Sequence, residues 1–256
     1  MTKTIVMIHG MFGGGWCWEN FKHYFQEKNY QCHTPTLRYH NIDPTAKPDP
    51  MLGTISLTEY VRDLEEYIRN LDEKPILMGH SMGGLLAQIL GSRGLAIGIV
   101  LLAPASPSGI NALKFSVIKT FWEGLKRWGF WRKPYRLSFN AALYSSMHLL
   151  PEVDQKAFYE RFVYESGRAA TEIGFSLFDS KGAAKVDESK VTCPVLVVAG
   201  AEDRMTPASV VRKVANKYKA VSTYKEFENH AHWVIAEPGW NKIAEFVYDW
   251  INQVKV

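Results

Sequence analysis

Three kinds of residue in this chain could together attack a carbonyl compound: a serine on a glycine-flanked turn, a carboxylate far downstream, and histidines beyond it. Ser81 stands in Gly79-His80-Ser81-Met82-Gly83-Gly84, Asp203 in Gly200-Ala201-Glu202-Asp203-Arg204-Met205-Thr206-Pro207, and two histidines in Glu228-Asn229-His230-Ala231-His232. A serine hydroxyl is a poor nucleophile at neutral pH unless a histidine takes its proton. The histidine in turn needs a carboxylate to hold its tautomer and stabilise the imidazolium. The spacing Gly79-x-Ser81-x-Gly83 has its own physical reason, because a serine strained on a tight turn leaves no room for a side chain two residues to either side. Each group also has a plainer use: Ser81 and Asp203 could each cap a helix, and Glu202 could be a solvated charge.

Strands and helices must bring these groups together. Ile5 to Ile8 is a short run with apolar residues on both faces, the pattern of a strand buried in a parallel sheet, and it ends at the glycine-rich His9-Gly10-Met11-Phe12-Gly13-Gly14-Gly15. Trp16 to Lys28 follows helical spacing, and Tyr30 to Leu37 reads as a second strand. Arg38 to Thr54, with Pro44, Pro48, Pro50 and Gly53, must be mostly loop. Ser56, with Glu59 three residues on, opens a helix that runs to about Leu71. Ile76 to Met78, the Ser81 turn, a helix over Met82 to Leu90 and a strand over Ile97 to Leu102 come next. The alternation predicts a doubly wound, mostly parallel sheet.

The rhythm breaks between about Pro107 and Val186, where helical patterns crowd with aromatic residues and no buried strand can be read. It resumes with a strand over Pro194 to Ala199, a helix from Ala208 to about Lys217, a strand over Val221 to Phe227 and a closing helix over Pro238 to Gln253. The expected organisation is a core of residues 1–106 and 187–256, interrupted by a helical cap at 107–186. Ligands of open parallel sheets bind outside the carboxyl ends of the strands. His9-Gly10-Met11, Ser81, Asp203 and the 230–232 loop all follow strand ends in this reading.

The rest of the composition narrows the function classes. A net charge of +4 on 256 residues, without a compact Lys/Arg run, gives no support to nucleic-acid binding. Three cysteines, far apart and without a Cys-x-x-Cys pair, argue against a disulfide framework or a structural zinc site. His23, His33, His40 and His148 show no ligand-like spacing, so no metal is expected. The glycine-rich loop after the first strand matches neither nucleotide-binding pattern, and no cofactor is expected. His9 and His80 are expected to brace their turns. The N-terminal apolar run is too short for a signal peptide and no stretch is long enough to span a bilayer, so a cytoplasmic location is expected.

Taken together, His9-Gly10, Gly79-His80-Ser81-Met82-Gly83-Gly84, the Gly200 to Pro207 segment and His232 through Glu237-Pro238 resemble the α/β-hydrolase superfamily across essentially the whole chain outside the insertion. The opening His-Gly-x-x-Gly-Gly-Gly-Trp-x-Trp is similar to the branch containing small carboxylesterases, methylesterases and hydroxynitrile lyases. The resemblance implies an α/β-hydrolase fold of about six strands with a helical cap. It also implies Ser81 as nucleophile, Asp203 as the acid and His232 as the base, since the family's histidine typically lies five residues before a Glu-Pro pair; His230 is the alternative base. Backbone N–H groups of Met82 and Met11 are then the expected oxyanion donors, with Phe12 second to Met11.

Residues 112–136 carry seven basic side chains against the single acid Glu123, interleaved with Phe115, Phe121, Trp122, Trp128, Phe130, Trp131 and Tyr135. That is the composition of a basic amphipathic element. It serves either as a cap whose aromatics pack on the core or as a lid that meets a lipid surface. Such a cap roofs the serine and supplies an apolar pocket wall. Phe12, Phe139, Leu143, Tyr144 and Met147 are the expected substrate contacts, with Phe175 and Phe178 as further candidates. The expected substrate is a small carboxylic ester with an apolar acyl or aryl group, cleaved through an acyl-enzyme. Lactone, thioester or C–C hydrolysis, cofactor-free haloperoxidation and hydroxynitrile lysis on the same triad remain open, as does a receptor on the same fold that binds without turnover.

Overall fold

The structure is a computed structural model that describes residues 3–254. Its centre is a six-stranded, wholly parallel sheet made of β1 (Thr4–Ile8), β2 (Gln31–His33), β3 (Ile76–His80), β4 (Gly98–Leu102) and two strands reached after a long excursion. The excursion holds α4 (Phe115–Leu125), β5 (Pro134–Tyr135), α5 (Phe139–Ala142), α6 (Glu152–Glu160), β6 (Glu165–Ser166) and α7 (Gly167–Gly174). The sheet then resumes with β7 (Val195–Gly200) and β8 (Ser222–Phe227), in the spatial order β2-β1-β3-β4-β7-β8. The chain leaves β1 toward one edge and returns at β3 toward the other. The crevice for a ligand therefore opens above β1 and β3.

Every residue of β1, β3, β4 and β7 is buried, which explains why these strands read as unbroken apolar runs. Side chains alternate between the two faces of the sheet. Ile5 and Met7 face the layer of α1 (Glu19–Glu27) and α9 (Trp240–Gln253), where Phe21, Phe25, Ile243 and Val247 are fully buried. Val6 and Ile8 face the layer of α2 (Leu57–Arg69), α3 (Met82–Ser92) and α8 (Ala208–Lys217). α3 is buried from Met82 to Gly91 because it is covered on all sides, so it shows no polar stripe.

The elements depart from the sequence reading where tertiary contacts decide. The second strand spans three residues, not eight, because β2 is an edge strand and pairs with β1 only from Gln31 to His33. The stretch from Gly15 to Trp18 forms a 3₁₀ turn before α1 begins. β5 and β6 pair antiparallel over two residues each, a length that leaves no alternation in sequence. Among the described residues no helix is long and apolar enough to cross a membrane.

Two buried carboxylates of the excursion reach the core. Glu165 accepts from Tyr60 Oη at 2.7 Å and lies 3.1 Å from His40 Nε2. Burial alone would lower the His40 pKa, but the Glu165 carboxylate outweighs it and holds the imidazole above its ordinary value. Glu172 accepts from Ser56 Oγ at 2.9 Å and from the Leu57 N–H at 2.8 Å, at the positive end of α2. Ser56 also completes a capping box with Glu59, whose carboxylate accepts from the Ser56 N–H at 2.9 Å. Ser56→Ala removes the cap hydroxyl and one donor to Glu172 together. It should cost about 2 kcal/mol, the upper end of the N-cap range, in urea denaturation. Thr58→Ala, which leaves both intact, serves as the control.

Candidate active site

Ser81 occupies the single residue between β3 and α3, with φ 54° and ψ −121°. A β-carbon makes this backbone costly, so the surroundings must hold it. Its carbonyl accepts from Gly84 N–H at 2.9 Å and Ala105 N–H at 2.8 Å, and its own N–H donates to Leu102 O at 3.1 Å. The turn fits only because its flanks carry no side chains. A Cβ on Gly79 would lie 2.3 Å from Gly83 O, and one on Gly83 would lie 2.0 Å from Ile8 O. The loop after β1 comes equally close, since a Cβ on Gly10 would stand 2.8 Å from Ser81 Cβ. Met11 and Met82 N–H make no hydrogen bond to main chain among the described residues. Both residues line a cavity with Ser81.

Asp203 follows β7 and His232 lies in the loop between β8 and α9. His232 Nδ1 is 2.8 Å from Asp203 Oδ2, and both side chains are buried. Asp203 Oδ1 accepts from the N–H groups of Met205 at 2.7 Å and Thr206 at 2.8 Å. Thr206 Oγ1 stands 2.7 Å from Asp203 Oδ2 and 3.0 Å from Ala103 O, so its one hydrogen goes to one of these two oxygens. Burial alone would raise the Asp203 pKa. The His232 ring and the Thr206 donors outweigh it and hold the carboxyl below its ordinary value, so it is an anion at neutral pH. That anion accepts from His232 Nδ1 and so orients the ring. Ser81 and His232 line the same small cavity with Gly10 and Met11. They share no hydrogen bond among the described residues.

The other histidines are structural. His9 accepts from the Leu37 N–H through Nε2 at 3.0 Å and donates through Nδ1 to Gly10 O at 2.8 Å, so it is a neutral brace of the loop that carries Met11. Burial, with His40 nearby, lowers its pKa to about 3. His80 donates through Nε2 to His232 O at 2.8 Å and stacks on Trp233 at 5.3 Å. Burial, with His232 nearby, lowers its pKa to about 3 as well. His230 turns away to Glu237, whose Oε1 lies 3.2 Å from its Nδ1 and accepts from the Ala231 N–H at 2.8 Å. The glutamate of the Glu-Pro pair therefore fastens the loop that presents His232, and His230 has no access to Ser81.

Two cavities meet at Ser81. The larger encloses about 820 Å³ of space unfilled by protein atoms, its solvent-open mouth included, and is walled mainly by apolar side chains of α4 and α7. Val117, Phe121 and Leu125 come from α4, Ala170 and Ile173 from α7, and Phe175 follows it. The smaller, about 330 Å³, is bounded by Phe12, Leu137, Phe162, His232 and Trp233. Of the expected substrate contacts, Phe12 and Phe175 border these spaces, and the rest lie elsewhere. Phe139 packs on Tyr159, the Tyr144 ring lies under Lys119 and Arg204, and Met147 is fully buried in the core. Leu143 packs beside them, and Phe178 is 86% exposed. α5 and the π-helical turn after it put their apolar faces on the aromatic core rather than over Ser81. Thr206 and Trp233 escaped the sequence reading. The position of Thr206, three residues after Asp203, is a turn signal that could have marked it. Trp233 carries no such signal.

A sequence profile described as the alpha/beta hydrolase family matches residues 5–240. The chain belongs to that family. Among curated relatives, Methylesterase 7 of Arabidopsis thaliana is 29% identical over 90 residues, covering 34% of this chain and 33% of that protein. Pyrethroid hydrolase of Sphingobium wenxiniae is 29% identical over 85 residues, covering 33% of this chain and 29% of that protein. The matched stretch thus spans about a third of these relatives. Among solved structures, an Arabidopsis methylesterase superposes with a TM-score of 0.74 at 14% identity, covering 98% of this chain and 99% of its own. A pyrethroid hydrolase does so at 0.75 and 17% identity, covering 98% of each. The α/β-hydrolase fold thus extends over nearly the whole chain, including the segment between β4 and β7.

The neutral state of His80 has a measurable consequence. Its folded pKa of about 3 lies below the ordinary 6.5, so below 6.5 the unfolded chain binds a proton that the folded chain does not. Stability attributable to this group is lost as pH falls, by about 1.4 kcal/mol per pH unit. In urea unfolding between about pH 6 and about pH 5, His80→Gln should flatten the fall in stability by roughly that slope. Equal slopes in the two proteins would contradict a neutral His80.

Proposed function

We propose that the protein is a serine hydrolase that cleaves small carboxylic esters of apolar acids through an acyl-enzyme. The observation that carries this reading is Ser81 on its strained turn at the junction of two cavities, one of them bordered by a histidine bound to a buried, ionised aspartate. Ser81 Oγ attacks the ester carbonyl carbon while His232 Nε2 takes its proton. The carbonyl oxygen becomes an oxyanion facing the Met11 and Met82 N–H groups, donors whose loss costs about 10²–10³ in rate at comparable sites. The C–O bond to the alcohol breaks, and the leaving oxygen takes the proton back from His232. Water, deprotonated by the same nitrogen, then attacks the acyl carbon, the bond to Ser81 Oγ breaks as His232 returns the proton to that oxygen, and the carboxylic acid leaves. Asp203 orients His232 and stabilises its charged form throughout.

The geometry also divides the substrate. The leaving oxygen must lie beside His232, so the small cavity bordered by His232 takes the alcohol, and the larger cavity, which His232 does not border, takes the acyl group. Esters of small alcohols with extended apolar acids fit this division. Methyl esters satisfy it, in keeping with the names of the methylesterase relatives. In this reading residues 107–186 are the cap over a core of 1–106 and 187–256, and the apolar lining favours acyl or aryl groups over charged ones. The basic aromatic stretch 112–136 is where such an ester would be met at a lipid surface.

Ser81→Ala should lower kcat on a short aryl ester by at least about 10³-fold, and Asp203→Asn by about 10⁴-fold. A fluorophosphonate should label Ser81 alone. Full activity in Ser81→Ala would refute the mechanism, and labelling without release of the aryl alcohol would indicate a receptor. Phe162→Ala, which opens the small cavity, should raise kcat/KM for a butyl ester relative to the methyl ester by about tenfold or more. An unchanged ratio would reverse the assignment of the two cavities.

A further inference from the structure

Nine of the thirteen exposed large apolar side chains among the described residues lie in two stretches, 113–131 and 177–178, while Met51, Tyr67, Ile97 and Val153 fall outside them. Phe115, Ile118, Trp122 and Leu125 recur on α4 at intervals of three and four residues, which puts them on one stripe, and that stripe faces solvent. Phe115 is 80% exposed and Trp128, just beyond the helix, 85%. Trp128 and Trp131 meet edge to face at 5.4 Å. Trp131 in turn borders an open depression shared with Arg132, Phe178 and Lys181, which joins the exposed Leu177 and Phe178 to the same face. Around these rings stand Lys114, Lys119, Lys126, Arg127, Arg132 and Lys133, all exposed. The Lys126 ammonium lies 4.8 Å from the centre of the Trp122 ring.

Ile118 and Leu125 belong to this outer stripe and also to the lining of the large cavity. The helix that would grip an acyl chain therefore forms the rim of the exposed face. We propose that this face seats on an anionic lipid surface and that the large cavity draws the acyl half of its ester from that surface. The proposal rests on the reading of that cavity as the acyl site. Exposed indole and phenyl rings suit the boundary between headgroups and acyl chains, and the ring of Lys and Arg suits anionic headgroups. A second copy of this chain is a poor occupant. Two such faces brought together would oppose seven basic residues to seven in the 112–136 stretch, with one acid on each side.

Vesicle flotation with Ser81→Ala tests docking apart from turnover. The protein should float with vesicles of equal parts phosphatidylcholine and phosphatidylserine, far less with phosphatidylcholine alone, and should be released at about 1 M salt, where screening shortens to about 3 Å. Reversing Lys126, Arg127 and Arg132 to Glu should weaken partition by at least about 100-fold, since each basic residue near such a surface contributes roughly fivefold. Trp122→Ser, Trp128→Ser and Phe178→Ser together should abolish it. In the background with Ser81 intact, both variants should hydrolyse a short soluble aryl ester within about twofold of the parent. They should lose activity on a long-chain ester embedded in anionic vesicles. The proposal falls if the protein fails to float with anionic vesicles, or if flotation survives both triple variants. It falls equally if sedimentation velocity shows a dimer that the aromatic variant dissolves. Flotation without any hydrolysis of the soluble ester would leave docking standing and overturn the ester-hydrolase reading instead.

Discussion

The site depends on one steric constraint, the packing of the first turn of α3 against the ends of β1 and β3 with no side chain between them. The main chain of Gly83 lies so close to Ile8 O that no other residue fits, and Gly79 faces the same turn. That approach forces Ser81 into a backbone conformation that costs on the order of 1–3 kcal/mol and persists only because its surroundings over-determine it. The restraint comes from four neighbours: Leu102 O on β4 and the N–H groups of Gly84, Leu85 and Ala105. The Met82 N–H has no helical acceptor, as at any first helical residue. The strained serine and the N–H without a helical acceptor beside it thus follow from the same close contact.

Around that contact the electrostatics are sorted by what each group can hydrogen-bond. Asp203 is buried and ionised because its oxygens receive His232, two main-chain N–H groups and the Thr206 hydroxyl region. His9 and His80 are neutral because burial, with another histidine beside each, outweighs the donation of each ring to a main-chain carbonyl, which by itself favours the cation. A proton on His80 would place a cation beside His232 and compete with it for Asp203. Keeping the bracing histidines neutral reserves the one charge relationship in the pocket for His232.

What could be read from the sequence was what local spacing enforces. The Ser56 and Glu59 pair specified a helix start because a capping box is closed within four residues, and the structure contains it. The Ser81 turn was legible because its steric demand falls on residues two away on either side. The parallel strands were legible because burial on both faces removes polar residues from them. The pocket wall was not. Phe139, Leu143, Tyr144 and Met147 are as apolar as Val117, Phe121 and Ile173, and only the direction in which each helix packs separates core from lining. That direction is set by contacts far away in sequence, such as Glu165 with His40 and Glu172 with the start of α2. β2 was over-read for a related reason, since an edge strand ends where its partner ends rather than where its own apolar residues do.

The same distant contacts fasten the segment between β4 and β7 to the core. Glu165 and Glu172 are both nearly inaccessible, and each is held by donors from the core. Lifting the segment between β4 and β7 as one body would strip both carboxylates of those donors, at several kcal/mol per broken buried pair. The main-chain bond from Val163 N–H to Phe12 O, at 2.9 Å, ties that segment to the loop carrying Met11 as well. A rigid swing would therefore disturb that loop as well. α4 has no comparable anchor: its outer stripe is exposed, its inner stripe meets the cavity, and neither face buries a charge. Displacing α4 alone would cost apolar contacts, with no buried ion pair to break.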